Sequence, residues 1–142
     1  MKTLICLRGA GNRGKSTTLK AVIELVREAY PNATVEEEAR FTVDVTIVII
    51  IGRIKVGIET QGDPNSRLER SLKKFVDIGC KVIVCASRSY GRTVEIVTEN
   101  TTSGYKIKWV EKASVDESAK QSKANKVVAK EIFALIQAAM AA

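Results

Sequence analysis

The sequence predicts an α/β fold, with a mainly parallel central sheet, one antiparallel hairpin strand and helices on both faces. Short apolar runs rich in β-branched residues alternate with segments of helical periodicity along the 142 residues. The runs 41–51 and 54–58 are separated only by Gly52-Arg53, which is typical of an antiparallel hairpin. Strands that alternate with helices favour a parallel sheet covered on both faces, and this length suits one domain, residues 1–142.

In the first part of the chain, a buried strand is predicted at 3–7, and a helix follows the glycine-rich stretch behind it. The apolar residues of that helix recur at helical spacing: Leu19, Val22, Ile23, Val26 and Tyr30. Pro31 ends the helix because proline cannot continue its hydrogen-bonded turns. The acidic run 36–38 is interpreted as a solvated loop or the start of a strand.

The second half continues the alternation of helix and strand. A helix from Asn65 ends at Gly79 and is followed by a buried strand at 81–86. A short helix is predicted at 93–100. The run 105–110 alternates polar and apolar residues, as an edge or last strand does. A long amphipathic helix, 118–141, completes the chain.

One motif lies between the first strand and the first helix. It consists of Gly9, Ala10, Gly11, Asn12, Arg13, Gly14, Lys15 and Ser16. These residues fit G-x-x-x-x-G-K-[ST], in which backbone amides cradle phosphates and glycines let the backbone approach them. The helix that follows points its positive end at the same anion. The motif therefore predicts a site for nucleotide phosphates.

With this motif the chain resembles the P-loop nucleoside triphosphatase superfamily. The resemblance implies a three-layer P-loop fold that binds ATP, or another nucleoside triphosphate, together with Mg²⁺. In that family pattern residues 9–15 wrap the phosphates and Lys15 neutralises them. Ser16 would ligate Mg²⁺, and Thr17 would touch the α-phosphate.

The stretch Glu59-Thr60-Gln61-Gly62 follows an apolar strand and looks like a Walker B position. Small GTPases have D-x-x-G after a similar hairpin, and here the match is E-x-x-G. The resemblance implies that Glu59 holds Mg²⁺ or orients a nucleophile and that the Gly62 amide meets the γ-phosphate. Asp63 offers a second carboxylate at the same place. The alternative is that Asp63 or Ser66 caps the helix that follows.

The loop after the next strand contains two arginines, Arg88 and Arg92. An arginine there could stabilise charge on a phosphoryl group in transfer, or hold an anionic acceptor. The alternative is an ordinary polar surface loop. The guanine-reading N-K-x-D of GTPases is missing, because Ser87-Arg88-Ser89-Tyr90 stands in its place, and ATP is the favoured nucleotide. The stretch Lys112-Ala113-Ser114, directly after the last strand, lies where P-loop proteins often place a base-contacting loop.

Composition narrows the remaining classes. The net charge of +7 suits a protein that handles nucleotides, and no arginine-rich run favours nucleic acid as the partner. The absence of histidine excludes imidazole catalysis and histidine metal ligands. Three cysteines without metal spacing, no signal-peptide pattern and no long apolar run predict a cytoplasmic protein that does not enter the membrane.

These observations favour an ATP-dependent enzyme that transfers the γ-phosphoryl group to a small acceptor, as a kinase does, or to water. Two alternatives stay open at this point. One is a nucleotide-dependent switch, in which the region from the hairpin to Gly62 changes shape with the γ-phosphate. The other is a non-catalytic nucleotide-binding module that keeps the loop for structure.

Overall fold

The computed structural model describes residues 1–9, 14–112 and 118–142. Within these ranges the strands are β1 (Lys2–Arg8), β2 (Thr34–Arg40), β3 (Val45–Ile51), β4 (Ile54–Glu59), β5 (Val82–Ser87) and β6 (Tyr105–Glu111). The helices are α1 (Lys15–Ala29), α2 (Leu68–Asp77), α3 (Arg92–Thr98) and α4 (Ser118–Ala141). A short 3₁₀ helix, Glu99–Ser103, follows α3.

The strands form one mixed sheet in the order β2-β3-β4-β5-β1-β6. β4, β5, β1 and β6 are parallel, whereas β3 runs antiparallel to both of its neighbours. The carboxyl ends of the parallel strands therefore share one edge, and β3 begins at that edge because its direction is reversed. β5 lies between β1 and β4, so the strand that precedes the motif and the strand that ends at Glu59 are not neighbours.

Successive residues of β1 face opposite sides of the sheet, as the strand period requires. Ile5 and Leu7 belong to a buried cluster with residues of α1 and α4. Leu4 and Cys6 belong to a second cluster with residues of α2 and α3. The sheet therefore carries helices on both faces, and the predicted α/β class with a mainly parallel sheet is confirmed.

The hairpin prediction is confirmed by the pairing of Ile51 with Ile54 across Gly52-Arg53. Its first strand is shorter than expected, because residues 41–44 form a turn and β3 begins only at Val45. The acidic run 36–38 lies inside β2, which is exposed along most of its length. Each of its three glutamates forms an ion pair with a basic side chain: Glu36 with Lys55, Glu37 with Lys74 and Glu38 with Arg40. The negative charges are thus compensated within the strand and by its neighbours.

The three cysteines are free thiols and are fully buried. Burial raises the pKa of Cys80 to about 12. The Cys85 pKa is raised by a hydrogen bond with Cys6, its partner across β1 and β5, and by burial. These thiols are packing groups, as expected for cysteine in apolar strands. Among the helices of the described ranges, none combines the length and apolarity that crossing a bilayer requires.

Candidate functional site

The motif occupies the junction between β1 and α1. β1 ends at Arg8, and α1 begins at Lys15, one residue after Gly14. Gly14 has φ 82°, a left-handed conformation that favours glycine, and its carbonyl accepts hydrogen bonds from the Thr18 amide and hydroxyl. A Cβ on Gly9 would lie 2.9 Å from the Cβ of Lys112, so the chain passes too close there for a side chain. The order of strand, glycine-containing connection and helix that the motif requires is present.

Lys15 lies in the floor of this junction and is only 6% exposed. Its ammonium donates hydrogen bonds to the Gly9 carbonyl at 2.8 Å and to the Ser87 carbonyl at 2.7 Å. An ammonium has three N–H donors, so within the described residues one donor of Lys15 has no protein acceptor. Burial lowers the pKa of Lys15, and the carboxylate of Asp63 partly offsets this effect. The ammonium is thus fixed between the ends of β1 and β5.

A cavity of about 230 Å³ opens beside Lys15 at the carboxyl edge of the sheet. Three segments line it: the start of α1, the turn between β2 and β3, and the residues that follow β4. The lining residues are Gly14, Lys15, Ser16, Thr17, Val43, Asp44, Thr60, Gln61, Gly62 and Asp63. Ser16, Thr17, Gly62 and Asp63, all predicted from the sequence, therefore meet around one space.

Asp44 is the charged residue of this cavity that the sequence analysis did not predict. The Ser16 hydroxyl donates to Asp44 Oδ1 at 2.9 Å, and the Thr60 hydroxyl donates to the same oxygen at 2.8 Å. Thr60 is fixed in turn, because its hydroxyl accepts a hydrogen bond from the Val45 amide at 2.9 Å. A signal was available in the sequence, since aspartate is disfavoured in strands and here interrupts a β-branched run. Asp44 therefore marks a turn at the edge of the sheet.

Glu59, predicted as a catalytic residue and metal ligand, is fully buried and is not among the residues that line the cavity. Its Oε1 accepts hydrogen bonds from the Thr46 and Ser71 hydroxyls, both at 2.6 Å. Its Oε2 accepts from the Gln61 amide at 2.9 Å and from the Arg67 guanidinium at 3.2 Å. Both carboxylate oxygens are thus engaged within the protein. Through these hydrogen bonds Glu59 connects β3, β4 and α2.

Gly62 and Asp63 lie at the cavity, but each also has a structural explanation. A Cβ on Gly62 would lie 2.6 Å from the Ala86 carbonyl carbon and oxygen, so close packing against β5 already requires glycine. Asp63 accepts a hydrogen bond from Arg88 Nε at 2.9 Å. It does not cap α2 in the described structure, where Arg67 occupies the N-cap position.

The two arginines of the loop after β5 differ in their surroundings. Arg88 reaches the cavity through its ion pair with Asp63. Arg92 is exposed at the start of α3 and pairs with Glu69, Glu95 and Glu99, and these pairs raise its pKa. Arg92 does not line the cavity, so the structure does not bring the two arginines together there.

Four predicted residues of the motif, Ala10, Gly11, Asn12 and Arg13, lie outside the described residues. Ala113 and Ser114 of the predicted base-contacting stretch also lie outside the described residues. Lys112 is 7% exposed and its stem packs against Gly9, while its ammonium finds no hydrogen-bond partner within the described ranges. Burial lowers the pKa of Lys112.

The comparisons with known proteins identify no relative of this chain. No protein-family model matches it, and no curated protein or solved structure matches it significantly. The chemistry of the site therefore has to be argued from its own residues.

Proposed function

We propose that this chain has a three-layer P-loop fold and binds a nucleoside triphosphate, preferably ATP, at residues 9–17. The observation that carries the proposal is the position of Lys15. Its buried ammonium lies at the start of a helix and beside a cavity, with one N–H donor left for a ligand among the described residues. A helix N-terminus and a fixed ammonium together attract phosphate oxygens.

The proposed reaction is transfer of the γ-phosphoryl group to a small-molecule acceptor or to water. Catalysis of this kind depends on positioning and on stabilising charge at the transferring group. Lys15 supplies a fixed positive charge. Arg88 supplies a second one close by, because it is paired with Asp63, which lines the cavity. The hydroxyl of Ser16 is an oxygen donor that suits Mg²⁺, which would neutralise the phosphates it bridges. The three glutamates around Arg92 favour a structural role for that residue.

Titration calorimetry with ATP, GTP, CTP and UTP, each with Mg²⁺, tests the binding proposal. We expect ATP to bind, and we expect Lys15→Met to weaken binding by a factor on the order of 100 because charge-assisted hydrogen bonds to phosphate are lost. Lys20→Met is the matched control, since Lys20 belongs to the same helix but does not line the cavity. Equal affinities for the two variants, or no heat for any triphosphate, would contradict the proposal.

The reaction is tested by measuring ADP release with and without a panel of nucleosides and phosphorylatable metabolites. Stimulation of ADP release by one acceptor, with transfer of labelled phosphate to it, supports a kinase-like activity. Release that no acceptor stimulates indicates hydrolysis. Binding without any release would leave the non-catalytic module as the better description.

A nucleotide-dependent switch is the second candidate, and one contact favours it. The turn between β2 and β3 is attached to α1 through Ser16, whose hydroxyl lies 2.9 Å from Asp44 Oδ1. A ligand that takes the Ser16 hydroxyl would therefore change a contact of this turn. Hydrogen exchange of residues 41–46 with ADP and with a non-hydrolysable ATP analogue tests this candidate. Identical protection in the two complexes would speak against it.

A further inference from the structure

We propose that Asp44, and neither Glu59 nor Asp63, is the carboxylate that binds the divalent cation accompanying the nucleotide. This inference rests on the proposed function. It assigns the metal site to Ser16 together with a residue of the β2–β3 turn.

The first support is the distance between two oxygens. Ser16 Oγ and Asp44 Oδ1 are 2.9 Å apart, and both residues line the cavity. Neighbouring ligands of an octahedral Mg²⁺, each about 2.0–2.1 Å from the metal, are separated by about 2.9 Å. A cation can therefore take both oxygens as neighbouring ligands with little displacement of either residue. Nucleotide phosphates and water would complete the shell, as they usually do for Mg²⁺.

The second support is that Asp44 is held in place while part of its carboxylate stays available. Thr60 donates to Oδ1 and is itself fixed by the Val45 amide. The Asp44 carbonyl accepts a hydrogen bond from the Phe41 amide, which closes the turn. Among the described residues, no donor contacts Oδ2. The Thr60 hydrogen bond therefore fixes the orientation of Oδ1, as surrounding groups usually do for a metal ligand, and Oδ2 is left for water or the cation itself.

The other two carboxylates are engaged elsewhere. Glu59 accepts four hydrogen bonds, one of them from the guanidinium of Arg67. To bind a cation it would have to give up donors in a buried environment, which is costly. Asp63 is paired with Arg88, so a positive charge already compensates it. Within the described ranges the Asp44 carboxylate accepts hydrogen bonds only from two neutral hydroxyls, those of Ser16 and Thr60, and its negative charge has no ion-pair partner.

The direction of β3 explains why this carboxylate comes from a turn. The parallel strands end at the edge where the cavity lies, whereas β3 begins there, since Thr46 is paired with Glu59. The residue before β3 therefore reaches the same edge as the residues after β4. An antiparallel strand thus contributes its amino end to a site that parallel strands approach with their carboxyl ends.

Binding of Mn²⁺, a substitute for Mg²⁺ that electron paramagnetic resonance detects, tests the inference. Free Mn²⁺ is measured during titration into protein with a non-hydrolysable ATP analogue, and nucleotide affinity is measured separately in EDTA. We expect Asp44→Asn to weaken Mn²⁺ binding at least about 10-fold while nucleotide affinity in EDTA changes less than about 2-fold. Asparagine keeps an oxygen that can accept from Ser16 and Thr60, so the turn should survive the change. Asp63→Asn is the matched control and is expected to retain Mn²⁺ binding.

A change of metal preference separates a ligand from a residue that only shapes the turn. Asp44→Cys places a thiol on the cavity, and thiolates prefer Cd²⁺ to Mg²⁺. We expect Cd²⁺ to restore metal-dependent nucleotide binding in this variant and Mg²⁺ to fail, whereas Asp44→Ala should respond to neither. The native cysteines are buried and do not supply a competing thiol in the folded protein.

Each outcome bears on the inference. Unchanged Mn²⁺ affinity in Asp44→Asn, or loss of Mn²⁺ binding in Asp63→Asn with Asp44→Asn unaffected, would overturn it and leave nucleotide binding intact. Absence of nucleotide binding by the unaltered protein, with or without metal, would overturn both this inference and the proposed function.

Discussion

The two walls of the cavity are constructed in different ways. On the α1 side, Lys15 is held by backbone carbonyls of Gly9 and Ser87, and the buried apolar face of α1 lies directly behind it. On the hairpin side, the turn 41–44 exposes Phe41 and Val43, and side-chain hydrogen bonds of Asp44 attach it to the rest of the site. The fold itself therefore fixes one wall, and a few polar contacts fix the other.

Because of this difference, substitutions on the two sides should affect stability and ligand binding differently. Substitutions behind Lys15 should lower stability and binding together, because the backbone that holds the ammonium depends on the core. Substitutions in the turn should affect ligands while the protein stays folded. The guanidinium of Arg67, which lies 3.5 Å from the centre of the Phe41 ring and also contacts Glu59, connects the turn to the buried network beneath it.

The largest effect is expected from the core beneath α1. Leu19 is fully buried in α1, and Leu19→Ala should lower the free energy of unfolding by about 3 kcal/mol, through lost burial and the cavity it leaves. Val43→Ala on the hairpin wall is the comparison, because Val43 is 58% exposed, and it should change stability by less than about 0.5 kcal/mol. Urea denaturation measures both, and similar losses would remove the distinction between the walls.

Substitution in the hydrogen-bond network of Glu59, beneath the hairpin, should have an effect of similar size. Glu59→Gln is expected to cost about 3 kcal/mol, since the amide nitrogen cannot accept hydrogen bonds and the guanidinium of Arg67 loses its carboxylate partner. Thermal unfolding followed by circular dichroism measures this loss. If the variant is as stable as the original protein but no longer binds Mn²⁺, Glu59 acts at the metal and the assignment to Asp44 is wrong.

A smaller effect of opposite sign is expected at Lys112, which packs against Gly9 on the α1 side. Its ammonium is buried without a hydrogen-bond partner in the described part of the chain. Lys112→Met keeps the packing against Gly9 and removes the charge, so it should raise the free energy of unfolding by about 1 kcal/mol at neutral pH. A loss of stability would show that the charge is compensated.

The difference in stability between the original protein and Lys112→Met should depend on pH, because burial lowers the pKa of Lys112 from 10.5. As pH rises from neutral towards 10.5, the folded state releases this proton before the unfolded state does, so the unfolded state holds more protons and the original protein gains stability. Lys112→Met has no such gain. The stability advantage of the variant should therefore shrink with rising pH. Tyr105 and Cys80, whose pKa values are also shifted, are present in both proteins, so their contributions cancel in the difference. An advantage that grows with pH would contradict the assignment.

The smallest effect is expected at Arg92, which lies on neither wall. Its ion pairs are exposed, and such pairs contribute little because water and salt screen them. Arg92→Ala should leave nucleotide affinity within about 2-fold of the original value by calorimetry. Arg88→Ala is the matched comparison, because Arg88 contacts a cavity residue, and it should weaken binding more. A larger loss of nucleotide affinity in Arg92→Ala than in Arg88→Ala would show that Arg92 contributes to the site.

Much of the fold could be predicted because its signals are local. The spacing of Leu19, Val22 and Val26 defines a helix by itself, and Gly52-Arg53 between two β-branched runs defines a hairpin. The motif that ends in Gly14, Lys15 and Ser16 likewise needs only its own neighbours in the sequence. These patterns depend on periods of two and 3.6 residues and on turn chemistry, which the order of residues contains.

The tertiary structure alone decided which distant residues meet. Insertion of β5 between β1 and β4 and the reversal of β3 bring Asp44 beside Ser16, although 28 positions separate them. The same packing directs the Glu59 side chain towards the interior, where Arg67 and Ser71 donate hydrogen bonds to its carboxylate. Strand order and side-chain partners depend on contacts between residues far apart in the chain, and local periodicity carries no information about them.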